Sequence, residues 1–173
     1  IDDVRVITNR STGSTGAYLA ECFVQKGWQV DFLRAKNAVK PNLSNLPKLP
    51  FTLNNPLLRD FEFETFDDIS RLLKSLLIEN HYQGIIHLAA VSDFHVDQVD
   101  QDKAGPHKLP SGKPVTLTLK PNPKLIDSIK IWSRNSNIQL VGFKLTSSAT
   151  ENEKNEKIQN LFKTAKCDYV VHN

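Results

Sequence analysis

Two glycines and four hydroxyl side chains crowd into Ser11-Thr12-Gly13-Ser14-Thr15-Gly16, just after Asn9 and ahead of an apolar-periodic stretch. A glycine-rich turn that opens a helix aims free N–H groups and the positive end of a dipole at its contents. That suits an anion, most often a phosphate. The same composition also serves a tight turn packing a helix on a sheet, so both readings stand. Ser92-Asp93 is the second candidate, at the end of the apolar run 85–91. Polar groups at the carboxyl end of a central parallel strand lie where open α/β sheets bind ligands. A buried capping Asp is the alternative reading of Asp93. Lys108 is the third candidate, in the tract Gly105-Pro-His-Lys-Leu-Pro-Ser-Gly112. No periodicity runs through residues 94–113, which read as a mobile flap.

The elements that must position these groups alternate between strand and helix. A β-branched run leads into the glycine turn, and Gly16, Leu19, Ala20, Phe23 and Val24 then repeat at helical spacing up to Gly27, a natural C′ stop. A strand is expected over 28–33. Residues 35–58 hold Pro41, Pro47, Pro50 and Pro56, which predict a long surface loop. A short strand over 61–65 ends at Thr65, which caps a helix with Asp67 and Asp68 in its first turn. Ile69, Leu72, Leu73, Leu76 and Leu77 form that helix's apolar face. Beyond the 85–91 strand come a strand over 115–120 and a helix from Asn122, as N-cap, with Pro123 at N1, to Trp132. A strand over 138–145, a charged helix over 151–166 and a strand over 169–171 complete the chain. This alternation predicts an α/β fold, a Rossmann-like three-layer α/β/α arrangement with a mainly parallel sheet and a protruding flap or β arm.

A chain of 173 residues suffices for one domain over 1–173 and is short for two. A hydrophobic share of 39% and no apolar run of bilayer length exclude a membrane span. The net charge of +3 suits small anionic substrates and is too dispersed for nucleic acid. Cys22 and Cys167 have no His or Cys at ligand spacing, so neither a zinc site nor a disulfide framework is expected, and the cytoplasm is the expected setting. The chain opens on Ile1 and stops directly after an apolar run, so both ends read as cut.

Three function classes fit. One is an NADP-dependent oxidoreductase of the short-chain dehydrogenase type, with Thr12-Gly13-Ser-Thr-Gly16 and Ile86-His87-Leu88-Ala89-Ala90 in its cofactor site and Arg34 facing a 2′-phosphate. That chemistry needs a Tyr with a Lys four residues on, which Tyr18, Tyr82 and Tyr169 all lack. The second is a nucleotide-dependent ligase. Its pieces are Ile1-Asp-Asp-Val-Arg5-Val-Ile-Thr-Asn9-Arg-Ser11-Thr-Gly13, then Gly16, and Ala89-Ala90-Val91-Ser92-Asp93-Phe94. They continue with Lys108-Leu-Pro-Ser111, Asn122-Pro123-Lys124, Val141-Gly142-Phe143-Lys144 and Asp168-Tyr-Val-Val-His-Asn173. As an ordered set across nearly the whole chain, they resemble the phosphopantothenate–cysteine ligase (phosphopantothenoylcysteine synthetase) family of coenzyme A biosynthesis. The third class is a catalytically inactive relative of the same fold.

The resemblance implies a two-step reaction. CTP or ATP activates the carboxylate of 4′-phosphopantothenate as an acyl-nucleotide and releases pyrophosphate, and the amine of cysteine then displaces the nucleoside monophosphate. A free carboxylate resists an amine and a mixed anhydride does not. The work falls to cations, backbone N–H groups and Mg2+, with no covalent protein nucleophile. By this resemblance, Ser11, Gly13 and Gly16 bind phosphopantothenate, Asn9 turns the acyl-nucleotide over by hydrogen-bonding the acyl group, and Arg5 acts near substrate across a dimer contact. Ala89 lines the nucleotide site, Asp93 lies near nucleotide and Mg2+, and Lys108 closes on the triphosphate. Asn122, Pro123, Lys124, Leu125 and Phe143 surround nucleotide and substrate, and Asn173 contacts a substrate amide. Lys163 and Lys166 read as a solvated face. The lone Lys108 is similar to the stand-alone or eukaryote-like pattern, and no flavin-dependent domain precedes Ile1, so a stand-alone synthetase or an excised domain is expected. The resemblance further implies a homodimer, with 94–120 reaching towards the partner, and no flavin, nicotinamide, nucleic acid or membrane. It also sets residues 5–16 after a strand that would precede Ile1, so the phosphate at the glycine turn is the substrate's.

Overall fold

In a computed structural model, which describes residues 7–9, 11–42, 44, 57–100, 114–144 and 150–172, the helix after the glycine turn forms as α1 (Ser14–Gln25). It ends in a Schellman arrangement. The Trp28 N–H donates to the Phe23 carbonyl at 3.1 Å and the Gly27 N–H to the Val24 carbonyl at 2.9 Å, with Gly27 at φ 83°. The Trp28 ring meets Phe23 edge-on at 6.1 Å, the apolar contact that closes this motif. Strands β1 (Val30–Ala35) and β2 (Leu58–Phe63) pair in parallel, Val30 opposite Leu58. Helix α2 (Phe66–Glu79) opens with a capping box between Thr65 and Asp68, at 3.1 and 3.0 Å. These bonds hold the Asp68 carboxyl down to about 2, since its charged form accepts from Thr65 and Arg71.

Strand β3 (Gly84–His87) is followed by β4 (Phe94–Asp100) and β5 (Thr116–Pro121), which pair antiparallel with Phe94 opposite Pro121. Helix α3 (Leu125–Trp132), strand β6 (Gln139–Lys144), helix α4 (Glu151–Thr164) and strand β7 (Tyr169–His172) complete the order. Strands β3, β6 and β7 form one parallel sheet in the order β3-β6-β7. The α/β class and the mainly parallel pairing are as expected. By contact density the chain falls into two compact units, one of residues 1–10 and 90–124, the other of 11–89 and 125–173.

The larger unit carries the core. Ala17, Ala20 and Val24 of α1, Ile69, Leu73, Leu76 and Leu77 of α2, and Leu125, Ile126 and Ile129 of α3 are buried with Ile138 and Leu140. Leu77, Ile129, Ile138 and Leu140 are almost wholly covered, each worth about 2 kcal/mol over exposure. Asp168, just before β7, ties α3 to β6. Its Oδ2 accepts from the Leu140 N–H at 2.7 Å and pairs with Lys130 Nζ at 2.8 Å. Burial pushes its carboxyl up, but Lys130 and the Leu140 amide outweigh that and hold it low.

Three expectations change. The 85–91 strand stops at His87, where its pairing with Gly142 ends. Residues 94–100 of the expected flap form β4. A register shift between Val96 and Gln98 breaks the alternation of Phe94, Val96 and Val99, which hid the strand in the sequence. Finally, α3 opens at Leu125 rather than just after Asn122, whose side chain has other partners. The rest of the expected flap, 101–113, and most of the proline-rich loop, at 43 and 45–56, lie outside the described residues.

Candidate functional site

Once β3 leaves its sheet, the backbone carbonyls that follow need donors other than a ladder. Two asparagines supply them. Asn9 Nδ2 donates to the carbonyls of Ala90 and Val91, at 3.1 and 3.2 Å. Asn122 Nδ2 donates to the Ser92 carbonyl at 2.9 Å, and the Asn122 backbone N–H to the Asp93 carbonyl at 2.8 Å. At about 1 kcal/mol each, such bonds decide the shape of an irregular segment. Ser92 Oγ also donates to the Phe94 carbonyl at 2.7 Å, tightening the turn around Asp93.

That turn leaves the Asp93 side chain exposed, with no hydrogen bond or ion pair to another described residue. The capping role considered for it is therefore not seen. Among the described residues no group of three or more His, Cys, Asp and Glu side chains could hold a metal. A single open carboxylate nevertheless fits Mg2+, which keeps several waters and takes one or two carboxylates beside phosphate oxygens. With both donors of Asn9 turned to the backbone, the group left to offer a substrate is the carboxamide oxygen, which accepts from an N–H and cannot bond the acyl oxygen as expected. His95 belongs to this cluster and was not singled out from the sequence. Its Nδ1 lies 2.8 Å from Asn122 Oδ1. The only signal for it is the β4–β5 register, which the bulge conceals.

In the other unit, the glycine turn is built for close packing. Gly13 caps α1 at φ 73°, and a Cβ there would lie 2.8 Å from Ala38 Cβ. The Val39 N–H donates to the Thr12 carbonyl at 2.9 Å beside it. A Cβ on Gly16 would meet Leu88 Cδ1 at 3.3 Å and Phe32 Cε2 at 3.4 Å. Both glycines thus answer to protein neighbours. The anion reading rests on the other groups, the first-turn amides of α1 and the hydroxyls of Thr12 and Ser14, 3.0 Å apart. Ser11 is exposed beside them.

The remaining expected positions fall as follows. Ala89 is half-buried just beyond β3, and Phe143 is half-buried in β6 opposite Val171. Leu125 is a core residue of α3, so its side chain serves packing. Pro123 and Lys124 are exposed between β5 and α3, and Lys163 and Lys166 are exposed at α4 and its end. Asn9, Asp93, Asn122, Pro123 and Lys124 belong to the smaller unit, and Ser11, Gly13, Gly16, Ala89, Leu125 and Phe143 to the larger. Arg5, Lys108 and Asn173 lie outside the described residues.

Arg34 corrects the dehydrogenase alternative. It is 3% exposed, its Nε donates to Asp60 Oδ1 at 2.8 Å, and its Nη2 pairs with Glu62 Oε2 at 2.7 Å. A guanidinium committed to two carboxylates across β1 and β2 does not face a 2′-phosphate. His87, the last residue of β3, is pushed down to about 4 by burial, so it is neutral at pH 7.

Comparison with known proteins accounts for the whole chain. The family profile described as the DNA/pantothenate metabolism flavoprotein C-terminal domain matches residues 1–173. The coenzyme A biosynthesis bifunctional protein CoaBC of Thermococcus kodakarensis is 32% identical over 173 residues, covering 100% of this chain and 38% of that protein. Its namesake in Methanocaldococcus jannaschii is 30% identical over 153 residues, covering 88% of this chain and 32% of the relative. The chain thus spans less than two fifths of these relatives' lengths. The crystal structure of the DNA/pantothenate metabolism flavoprotein from Streptococcus pneumoniae superposes with a TM-score of 0.80 at 27% identity, covering 100% of this chain and 76% of that one. A Cab2 mutant in complex with phosphopantothenate-cysteine gives a TM-score of 0.71 at 25% identity, over 98% of this chain and 66% of that one. With every residue from 1 to 173 inside the match, the chain belongs to the family of DNA/pantothenate metabolism flavoprotein C-terminal domains.

Proposed function

We propose that residues 1–173 act as a single phosphopantothenate–cysteine ligase domain. It would join 4′-phosphopantothenate to cysteine through an acyl-nucleotide made from CTP or ATP. The observation that carries this reading is the end-to-end likeness to CoaBC together with the likeness to the Cab2 structure that holds phosphopantothenate-cysteine. The geometry supports it. The exposed Asp93 carboxylate sits on a turn whose backbone is pinned by Asn122, as a group that must meet a charged ligand in one orientation should.

In the first step the substrate carboxylate attacks the α-phosphorus of the nucleotide and pyrophosphate leaves. Lys108 and Arg5 supply positive charge to the triphosphate and substrate, and Asp93 would hold Mg2+, which would screen phosphate oxygens. By the same resemblance Ala89, Asn122, Pro123, Lys124 and Phe143 serve the nucleotide, and Leu125, whose side chain is in the core, would contribute only backbone. Ser11, Gly13 and Gly16 shape the turn for the phosphate of phosphopantothenate, with Asn173 on a substrate amide. In the second step the cysteine amine attacks the acyl carbon and the nucleoside monophosphate leaves. Asn9, whose N–H groups face Ala90 and Val91, offers its oxygen to an N–H of that amine, which orients the nitrogen lone pair towards the acyl carbon. The proposed assembly is a homodimer, and the proposed compartment is the cytoplasm. Among the described residues no helix is long and apolar enough to cross a membrane.

The reading is tested by pyrophosphate release from CTP and from ATP on adding phosphopantothenate, before any cysteine is present. Substrate-dependent release with either nucleotide is expected. No release with both, or tight NADPH binding in the same preparation, would remove it in favour of an inactive relative or a dehydrogenase.

A further inference from the structure

Asn122 shapes the turn that bears Asp93 from the far end of β5. Its Nδ2 bonds the carbonyl before Asp93 and its backbone N–H bonds the carbonyl of Asp93 itself. Its Oδ1 lies 2.8 Å from His95 Nδ1. A backbone carbonyl only accepts, so Nδ2 must face Ser92 and Oδ1 must face the imidazole. His95 Nδ1 therefore carries a proton and donates to Asn122 Oδ1. Without that donor, Oδ1 loses its partner and the carboxamide is held at one end only, by the Ser92 carbonyl. His95 is thus the second anchor of the orientation that the Ser92 carbonyl sets.

An exposed carboxylate on a loose turn samples many orientations, whereas a contact with a charged ligand uses one. Ordering the turn in advance removes an entropic cost from binding. We propose that Asn122 and His95 are a positioning pair for nucleotide binding. Asn122 acts through the Ser92–Asp93 turn, with its carboxamide locked by His95, and does not read the base. This deepens the ligase reading and rests on it. Because the pair acts on the turn, it affects any nucleoside triphosphate equally.

The test is a double-mutant cycle on the 173-residue chain, followed by pyrophosphate release with CTP and with ATP. Asn122→Ala and His95→Ala should each raise the KM for nucleotide about five- to tenfold, by one factor for both nucleotides, with kcat within about twofold. The double variant should be no worse than Asn122→Ala alone. His95→Asn, which places an N–H near the position of Nδ1, should recover most of the loss. His95 is exposed, so its variants keep the fold even where Asn122→Ala does not. In parallel, 15N spectra of the wild-type ring should show the proton on Nδ1, and Asn122→Ala should remove that preference. Additive effects, a changed CTP-to-ATP ratio or a wild-type ring protonated on Nε2 would each overturn the proposal. A wild-type chain that releases no pyrophosphate would overturn the ligase reading instead, and the ring spectra would still decide the pair.

Discussion

His87, half-buried at the end of β3, offers the clearest consequence of a single group. The unfolded chain takes up its proton near pH 6.5, whereas the folded chain does so only near 4. Between these values the unfolded state binds more protons, so stability falls as pH drops through the window and is recovered as pH rises. The shift predicts a loss of about 2 kcal/mol between pH 7.5 and pH 5, measured as the urea midpoint at each pH. His87→Gln should flatten most of that slope, and an unchanged slope would show that the ring does not stay neutral in the folded chain. Asn9 carries a chemical prediction. Asn9→Asp sets a carboxylate against the carbonyls of Ala90 and Val91, where the amide now donates at 3.1 and 3.2 Å. The repulsion turns the side chain out of the position from which its oxygen orients the amine, so the acyl-nucleotide should accumulate in quenched reactions. Normal coupling in this variant would remove Asn9 from the second step.

At the level of helices and turns, the positive-φ positions set the predictions. Gly13 stands at φ 73° with Ala38 Cβ 2.8 Å from where its own Cβ would be. Gly13→Ala should therefore cost about 1–3 kcal/mol in thermal or urea unfolding, with or without ligand. Lys166, past the end of α4, is at φ 54°, a conformation that glycine adopts without strain. Lys166→Gly should raise stability by about 1 kcal/mol in urea unfolding, and an unchanged or lower midpoint would contradict this. Such local features were legible before the structure. The Gly27 stop, the Thr65 cap and the apolar faces of α1 and α2 depend only on residues within one or two turns of each other. What depended on pairing across the chain was not. The phase shift after Val96 hid β4, and Asn122 looked like an N-cap because its partners, Ser92 and His95, lie roughly thirty positions earlier. Gly16 likewise reads as an opening for a ligand until Phe32 and Leu88 are seen against it.

For the molecule as a whole, the sequence carried the fold class and the family through the order of its motifs, since that order survives where single motifs are ambiguous. The placement of the site residues needed the structure, because two separate asparagines and one histidine fix a segment that looked like the tail of a strand. The central claim is that the substrate carboxylate ends up bonded to the α-phosphorus of a nucleotide before cysteine attacks. It is tested most directly by supplying phosphopantothenate with 18O in its carboxylate, together with nucleoside triphosphate and cysteine, and weighing the products. The account predicts one 18O in the nucleoside monophosphate, with pyrophosphate unlabelled and the other 18O retained in phosphopantothenoylcysteine. Label in inorganic phosphate beside a nucleoside diphosphate, or no label transfer to any phosphate, would contradict it.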